Sequence, residues 1–317
     1  MVRFCVLAFV ALAGCSAAPD PWAKTPAEQT RALAVFPPLH SFAANVAGDK
    51  ARVQCLLTGT GPHEYQATEN DTHKVAGADL FLVNGLGLEQ DFIRRLMRLA
   101  RSNKVKLVAV GDALDPKLLV KMAPHVHEEG HDHHHHGEMD PHVWLGPKQA
   151  QAMVAIIASQ FAAANPAHKE EFAKNAEAYI EKLKALEAYG HEQFQDKKSK
   201  SFITMHESLR YFADGFGLDL VDSIQPRPGV EADANQLARL VDACKKKNVT
   251  VIAVEPQYSS GQAEALARVL RAKGLDMKIA VVDPMETADP GADGNPSPSL
   301  YLDRMKANID ALAKAFP

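Results

Sequence analysis

The stretch AHKEEFAKNAEAYIEKLKALEAYGHEQFQ, residues 167–195, decides how this chain is organised. It is rich in Ala, Glu and Lys, which favour helix, and it contains no proline and one glycine. Its apolar side chains recur every three or four positions, as on one face of a helix. A helix of about 28 residues is roughly 40 Å long, which is long for a crossover between neighbouring strands. The stretch therefore predicts a rigid linking helix, assigned to residues 166–195.

On both sides of this helix, short β-rich runs alternate with amphipathic helical segments. The predicted strands are 34–36, 52–58, 80–83 and 106–110 before the helix, and 202–205, 249–254 and 278–282 after it. Strands separated by helices of this length indicate βαβ units and a parallel sheet. The predicted fold class is α/β, with two Rossmann-like lobes at residues 31–165 and 196–317. In each lobe a parallel sheet is flanked by helices, and the single long rigid helix joins the lobes.

The first fifteen residues have the features of an export signal. Arg3 supplies a positive charge, and residues 4–12 are an apolar run too short to span a bilayer. Leu12-Ala-Gly-Cys15 is typical of a bacterial lipobox, in which Cys15 carries the lipid; the alternative is a plain secretory peptide. We expect a signal peptide at residues 1–14, a flexible tether at 15–30 and a membrane-anchored, extracytoplasmic lipoprotein. It would lie in the periplasm or on the outer face of the cytoplasmic membrane.

The composition describes an ordinary globular protein, with 46% hydrophobic and 23% charged residues. A net charge of -4 gives no support for a nucleic-acid partner, which usually requires a basic patch. Beyond the leader, no run of about 20 apolar residues predicts a membrane span. Two of the four cysteines, Cys55 and Cys244, lie outside the leader and its lipobox and far apart in sequence. We expect two buried thiols rather than a disulfide.

Seven of the 14 histidines fall between residues 125 and 136. The polar segment around them cannot bury apolar surface, so residues 125–138 are predicted to form a mobile loop. Neutral imidazole is a good ligand for Zn²⁺, which indicates an auxiliary, weaker metal-binding function. The histidines of this auxiliary set are His125, His127, His131, His133, His134, His135 and His136.

One pattern inside this segment matches a different class of protein. Residues 127–131 fit the H-E-x-x-H motif of zinc proteases, whose two histidines must share one face of a helix. Pro124 and Gly130 disfavour a helix there. A zinc hydrolase is therefore kept only as a weak alternative.

Three further histidines and one aspartate lie in turns or directly after predicted strands. They are His63, His142, His206 and Asp283. In open α/β sheets, ligands bind beyond the carboxyl ends of the strands, so these side chains could meet in one cleft between the lobes. Three imidazoles and one carboxylate complete a tetrahedral shell for Zn²⁺. Their joint placement favours a zinc site, although a single histidine in a loop is usually a solvated or capping residue and a carboxylate after a strand is often a helix cap.

Several longer stretches resemble one known family over nearly the whole mature chain. They are Phe36-Pro-Pro-Leu-His-Ser-Phe, Gly61-Pro-His-Glu-Tyr, Ala78-Asp-Leu-Phe-Leu-Val-Asn-Gly, Asp140-Pro-His-Val-Trp-Leu-Gly-Pro, His206-Glu-Ser-Leu-Arg-Tyr-Phe, Val254-Glu-Pro-Gln-Tyr and Val282-Asp-Pro. In this order they resemble the metal-specific solute-binding proteins of ABC importers, the cluster A-I, ZnuA-like family. The resemblance implies a metal held between two lobes by the four residues above. It also implies a monomer that delivers its metal to the membrane permease of an ABC transporter.

The third ligand position indicates which metal is carried. In the family, histidine there is typical of zinc members and glutamate of manganese or iron members, so His206 favours zinc. Imidazole suits zinc, whereas added carboxylate oxygen suits harder ions. Glu207, beside His206, could still enter the shell, and a manganese- or iron-binding member remains the alternative. A surface adhesin with the same fold is a further alternative.

Two other residues of these stretches have less direct roles. Glu255 is expected near the cleft as a supporting residue rather than a ligand, and His40 as a structural residue. Since four protein ligands leave a zinc ion no open position, we expect no catalysis.

Overall fold

The computed structural model describes residues 20–122, 139–225 and 228–317, which contain two four-stranded sheets and nine α-helices. The strands are β1 (Thr30–Ala34), β2 (Ala51–Cys55), β3 (Leu80–Val83), β4 (Lys106–Ala109), β5 (Ser201–Thr204), β6 (Asp219–Ser223), β7 (Val251–Val254) and β8 (Lys278–Val281). The helices are α1 (Pro37–Ala47), α2 (Glu69–Gly77), α3 (Gln90–Ala100), α4 (Pro147–Ala164), α5 (Lys169–Phe194), α6 (Arg210–Phe216), α7 (Ala234–Lys247), α8 (Gly261–Ala272) and α9 (Leu300–Ala315). Over these described ranges, none of the helices combines the length and apolar character that a membrane crossing requires.

The two sheets share one topology. Their strand orders are β2-β1-β3-β4 and β6-β5-β7-β8, and every pairing is parallel. In each sheet the first strand lies inside, with the second strand on one side and the third on the other. The chain direction across the sheet therefore reverses between β1 and β3, and again between β5 and β7. Crevices at the carboxyl ends of strands beside such reversals are where open α/β sheets bind ligands.

The prediction of two parallel-sheet lobes flanked by helices is confirmed, and α5 is the long helix between them. One strand, β6, was not predicted. Its sequence Asp-Leu-Val-Asp-Ser carries two carboxylates, which are uncommon in strands, and it is tolerated because β6 is an edge strand. β1 ends at Ala34, where the sequence predicted that the strand would begin.

One large hydrophobic core joins the lobes. The sheet of β5–β8 alternates its side chains, so Phe202, Val251 and Ala253 face a core that also contains residues of α4, α5 and α9. Ile203 and Ile252 face a second core, formed with α7 and α8. Because the first core also covers the other sheet, packing as well as the linking helix fixes how the two sheets are arranged.

The described chain begins with a segment that is docked onto the first lobe. Trp22, inside the predicted tether, is 1% exposed, and its indole N–H donates to the carbonyl of Lys74 at 2.9 Å. Gly77 leaves the space for it, because a Cβ there would lie 2.3 Å from Trp22 Cδ1. The chain is thus attached to the lobe from residue 22 onward, ahead of β1.

Both remaining cysteines match their prediction. Cys55 and Cys244 are free and buried. Burial raises the pKa of both thiols, which keeps them in the protonated, poorly nucleophilic form.

Gly190, within α5, allows α6 to pack closely against the linking helix. A Cβ at this position would lie 2.3 Å from Cε1 of Phe216, and two further atoms of that ring lie within 3.0 Å. Phe216 is 3% exposed and packs against Phe194 and Phe212, so its ring cannot move aside freely. We expect Gly190→Ala to lower the free energy of unfolding by about 1–3 kcal/mol, in spite of the better helix propensity of alanine.

Urea denaturation of the metal-free protein measures this change. Gly59→Ala is the matched control, because a Cβ at Gly59 meets no atom within 4 Å. Equal free energies of unfolding for Gly190→Ala and Gly59→Ala would contradict this prediction. They would show that α5 and α6 can move apart without loss of stability.

Candidate metal centre

Three histidines and one glutamate meet between the two sheets. His63, His142, His206 and Glu286 each offer one ligand atom, and these atoms all lie within 4.8 Å of one another. The imidazole ring centroids are 5.5, 5.7 and 5.4 Å apart, so the three rings form a nearly equilateral triangle. Among the residues that the structure describes, this is the only such group.

The distances within the group fit a tetrahedral zinc ion. Ligands about 2.0–2.1 Å from a tetrahedral metal are about 3.3–3.4 Å from one another. Glu286 Oε1 lies 3.2 Å from Nε2 of His63 and 3.7 Å from Nε2 of both His142 and His206. The Nε2 atoms of His63 and His142 are 3.4 Å apart. A single cation could therefore contact all four side chains with little movement.

Burial makes the group costly without a cation. The side chains of His206 and Glu286 are 2% and 1% exposed, and that of His142 is 7% exposed. No hydrogen bond within the described residues satisfies Nε2 of His206 or Oε1 of Glu286. Buried polar atoms almost always have a partner, and a metal ion is one of the explanations for an exception. His63, whose side chain is 22% exposed, is the most accessible member of the group.

Carboxylates behind two of the imidazoles fix their orientation. Asp140 Oδ1 lies 2.7 Å from Nδ1 of His142 and also accepts the backbone N–H of His142 at 2.9 Å. Glu255 Oε1 lies 2.7 Å from Nδ1 of His206 and accepts its backbone N–H at 3.3 Å. Asp140 thus forms a hydrogen bond with Nδ1 of His142, and Glu255 lies at ion-pair distance from Nδ1 of His206. This leaves Nε2 of each ring for the centre of the group, as is common in histidines that bind metals. This is the supporting role that the sequence predicted for Glu255.

The topology explains why these residues meet. His206 and Glu255 follow β5 and β7, the two strands between which the second sheet reverses direction. In the first sheet, Asn84 follows β3 and donates to the carbonyl of Pro141 at 2.8 Å, which holds the segment of His142. Glu89 in turn accepts the N–H of Asn84 at 2.7 Å, and burial raises its pKa to about 7.

The charges in the group favour a cation. Burial by itself would raise the pKa of Glu286, but the imidazoles of His63, His206 and His142 outweigh it and lower that pKa to about 2. For His206, burial opposes protonation, yet Glu255, Glu286 and Asp140 raise its pKa above the ordinary value. The carboxylate is therefore ionised at every physiological pH, which suits a positively charged ligand.

The fourth member of the group differs from the sequence expectation. Asp283 does not belong to the cluster, and its carboxylate instead forms an ion pair with Arg304 and accepts the N–H of Met285 at 2.7 Å. Glu286, three residues later, takes the expected place. Asp283 is the first carboxylate after the strand, and the left-handed φ of 63° at Met285 could not be predicted from the residue types.

Other candidate residues lie outside the group. Glu207 is 3.7 Å from Arg210, and the structure does not bring it into the cluster. His40 is 3% exposed, and burial lowers its pKa to about 4, as suits a structural residue. The histidines between 125 and 136, the H-E-x-x-H pattern and Cys15 fall outside the described residues.

Comparison with known proteins points to one family. The model of the family "ZnuA: Zinc-uptake complex component A periplasmic" matches residues 33–315. The zinc-binding lipoprotein AdcA of Streptococcus pneumoniae is 35% identical over 287 residues, which are 88% of this chain and 54% of that protein. The manganese-binding lipoprotein MntA of Halalkalibacterium halodurans is 28% identical over 308 residues, 96% of this chain and 94% of that protein.

A solved structure supports the same relationship. The Zn(II)-bound ZnuA-like domain of Streptococcus pneumoniae AdcA superimposes with a TM-score of 0.69 at 30% identity, covering 91% of this chain and 99% of that one. The chain spans about half the length of the first curated relatives that it matches, the AdcA proteins.

Proposed function

We propose that this chain, which belongs to the ZnuA family of periplasmic zinc-uptake components, captures one Zn²⁺ outside the cytoplasm and delivers it to an ABC importer. The ligands are His63, His142, His206 and Glu286. The observation that carries the proposal is the convergence of four ligand atoms within 4.8 Å of one another, with separations of 3.2 and 3.4 Å at His63 that match the edges of a zinc tetrahedron. The zinc-binding lipoprotein among the relatives supports the same cargo.

The donor set favours zinc over manganese, the cargo named for the second relative. Manganese prefers sites rich in carboxylate and water oxygens, whereas this group has three imidazoles and one carboxylate. The group also favours capture over catalysis, because a catalytic zinc keeps a fourth position open for water. Here a fourth protein ligand lies within reach of the ion.

The location and the partner follow from the leader and the family. A lipid on Cys15 would hold the protein at a membrane face, where a permease can accept the metal. The histidines of residues 125–136, which precede His142 in the sequence, would bind zinc with lower affinity and pass it to the cleft. The protein would act as a monomer.

Deletion of residues 125–136 tests the proposal. We expect the variant to retain one tight zinc site, which prefers zinc to manganese by orders of magnitude, because all four proposed ligands lie outside the deletion. Elemental analysis gives the stoichiometry, competition against a chromophoric chelator gives the affinities, and the full chain is the control. A preference for manganese, or loss of the tight site, would contradict the proposal.

A further inference from the structure

The turn that carries Glu286 is held in an unfavourable backbone conformation. Met285, directly before Glu286, has a φ of 63° and is 0% exposed. This left-handed region is disfavoured for residues that have a side chain, and it persists only where the surroundings impose it. Some set of contacts must therefore hold the turn of residues 283–286.

The first contacts come from Asp283 itself. Its Oδ1 accepts the N–H of Met285 at 2.7 Å, which closes the turn, and its Oδ2 pairs with Nη1 of Arg304. Both carboxylate oxygens thus have partners within the protein. Asp283 is not a member of the cluster of His63, His142, His206 and Glu286.

The second contacts come from α9 and Trp144. Asn308 accepts the N–H of Asp283 at 2.8 Å and donates to its carbonyl at 2.7 Å, so one side chain fixes both backbone groups. The indole N–H of Trp144 donates to the carbonyl of Pro284 at 2.7 Å. Every residue before Glu286 in the turn is therefore fixed by at least one hydrogen bond.

Side chains on one face of α9 form hydrogen bonds or ion pairs with two segments of the metal site. Tyr301, Arg304 and Asn308 lie three and four residues apart, which places them on the same face of the helix. Tyr301 donates its hydroxyl to the carbonyl of Trp144 at 2.6 Å, and Trp144 is two residues beyond His142. The helix that holds the turn of Glu286 thus also holds the segment of His142.

We propose that Asp283 and Asn308 are positioning residues for the metal site: they hold Met285 in its left-handed conformation, so that the carboxylate of Glu286 is in place before the ion arrives. Asp283 does not bind the metal. The inference rests on the proposed function, since it assigns the residues that prepare its fourth ligand.

Two substitutions at Asp283 separate positioning from ligation. Asp283→Asn keeps an oxygen that can accept the N–H of Met285, whereas Asp283→Ala removes it. We expect Asp283→Asn to bind zinc within about threefold of the wild type, and Asp283→Ala and Asn308→Ala to bind it about 10–100-fold more weakly, as when an outer partner of a metal ligand is lost. Competition titration of the full chain with Zn²⁺ measures each affinity.

A spectroscopic readout excludes a merely structural effect. The visible absorption of bound Co²⁺ reports its ligands, so Asp283→Asn should keep the wild-type spectrum, while Asp283→Ala should move toward the spectrum of Glu286→Gln. Equal losses in Asp283→Asn and Asp283→Ala, with the same altered spectrum, would overturn the inference and make Asp283 a ligand. If Asp283→Ala fails to fold, the affinity and spectrum of Asp283→Asn still decide. Failure of the wild-type chain to bind zinc would instead reject the proposed function.

Discussion

Glu286→Gln is expected to weaken zinc binding by more than about 100-fold, the upper end of what loss of an outer partner of a metal ligand costs. The substitution keeps the size of a side chain that is 1% exposed, and removes its charge. That charge lies 3.2–3.7 Å from Nε2 of the three histidines, and the ion would bind between these four atoms. A neutral amide oxygen is a much poorer ligand for Zn²⁺ than a carboxylate.

The same substitution should leave the metal-free protein folded, because glutamine has the size of glutamate. The metal-free variant should therefore keep a cooperative thermal transition, while the gain in its midpoint on adding zinc should shrink. A loss of affinity that comes from misfolding would abolish that transition.

Glu207→Gln is the matched control, because it makes the same change beside His206 and outside the cluster. We expect its zinc affinity to stay within about threefold of that of the wild type, because Glu207 is not among the residues of the cluster. A large loss of zinc affinity in Glu207→Gln and none in Glu286→Gln would show that Glu207, not Glu286, binds the metal. That result would contradict the proposed ligand set.

The three histidines could be predicted from the sequence because each depends on local information. A histidine after a β-rich run, or in an Asp-Pro-His turn, lies at the end of the sheet where ligands bind. The linking helix was predicted to within three residues at each end for a similar reason, because the helix propensity and the apolar periodicity of residues 167–195 are local features.

Glu286 could not be predicted in this way, because its position depends on contacts between distant parts of the chain. Its turn is fixed by Asn308 and Trp144, which are 25 and 140 residues away from the groups that they hold. Asp283 was the ligand that the sequence predicted, but Arg304, on α9, forms an ion pair with its carboxylate. The role of a carboxylate here is set by its tertiary partner.

Zinc affinity should fall steeply with acidification, and Glu255 should set where the fall begins. Zinc binds neutral imidazole, so protons compete for the site once the pH drops to the pKa of the ligand. Burial would lower the pKa of His206, but Glu255 leads the charges that raise it above 6.5. A raised pKa in the empty site means that affinity is complete above that pKa and is lost as the pH falls through it. Glu286, with a pKa of about 2, stays ionised and does not contribute.

Glu255→Gln therefore has two opposite effects on zinc binding. At pH 8 its affinity should be about 10–100-fold lower than that of the wild type, because the ring of His206 loses its orienting carboxylate. The decline of its affinity on acidification should begin at a lower pH, because the pKa of His206 falls when it loses the carboxylate of Glu255, the first of the charges that raise it. Since each displaced proton changes affinity by about tenfold per pH unit, the two curves should approach each other on acidification.

Titrations between pH 8 and pH 5, in a buffer that does not bind zinc, measure both effects. Glu264→Gln, which removes one charge from an exposed residue of α8, controls for net charge and should run parallel to the wild type. If the curve of Glu255→Gln also ran parallel to the wild type, Glu255 would orient His206 without controlling its protonation.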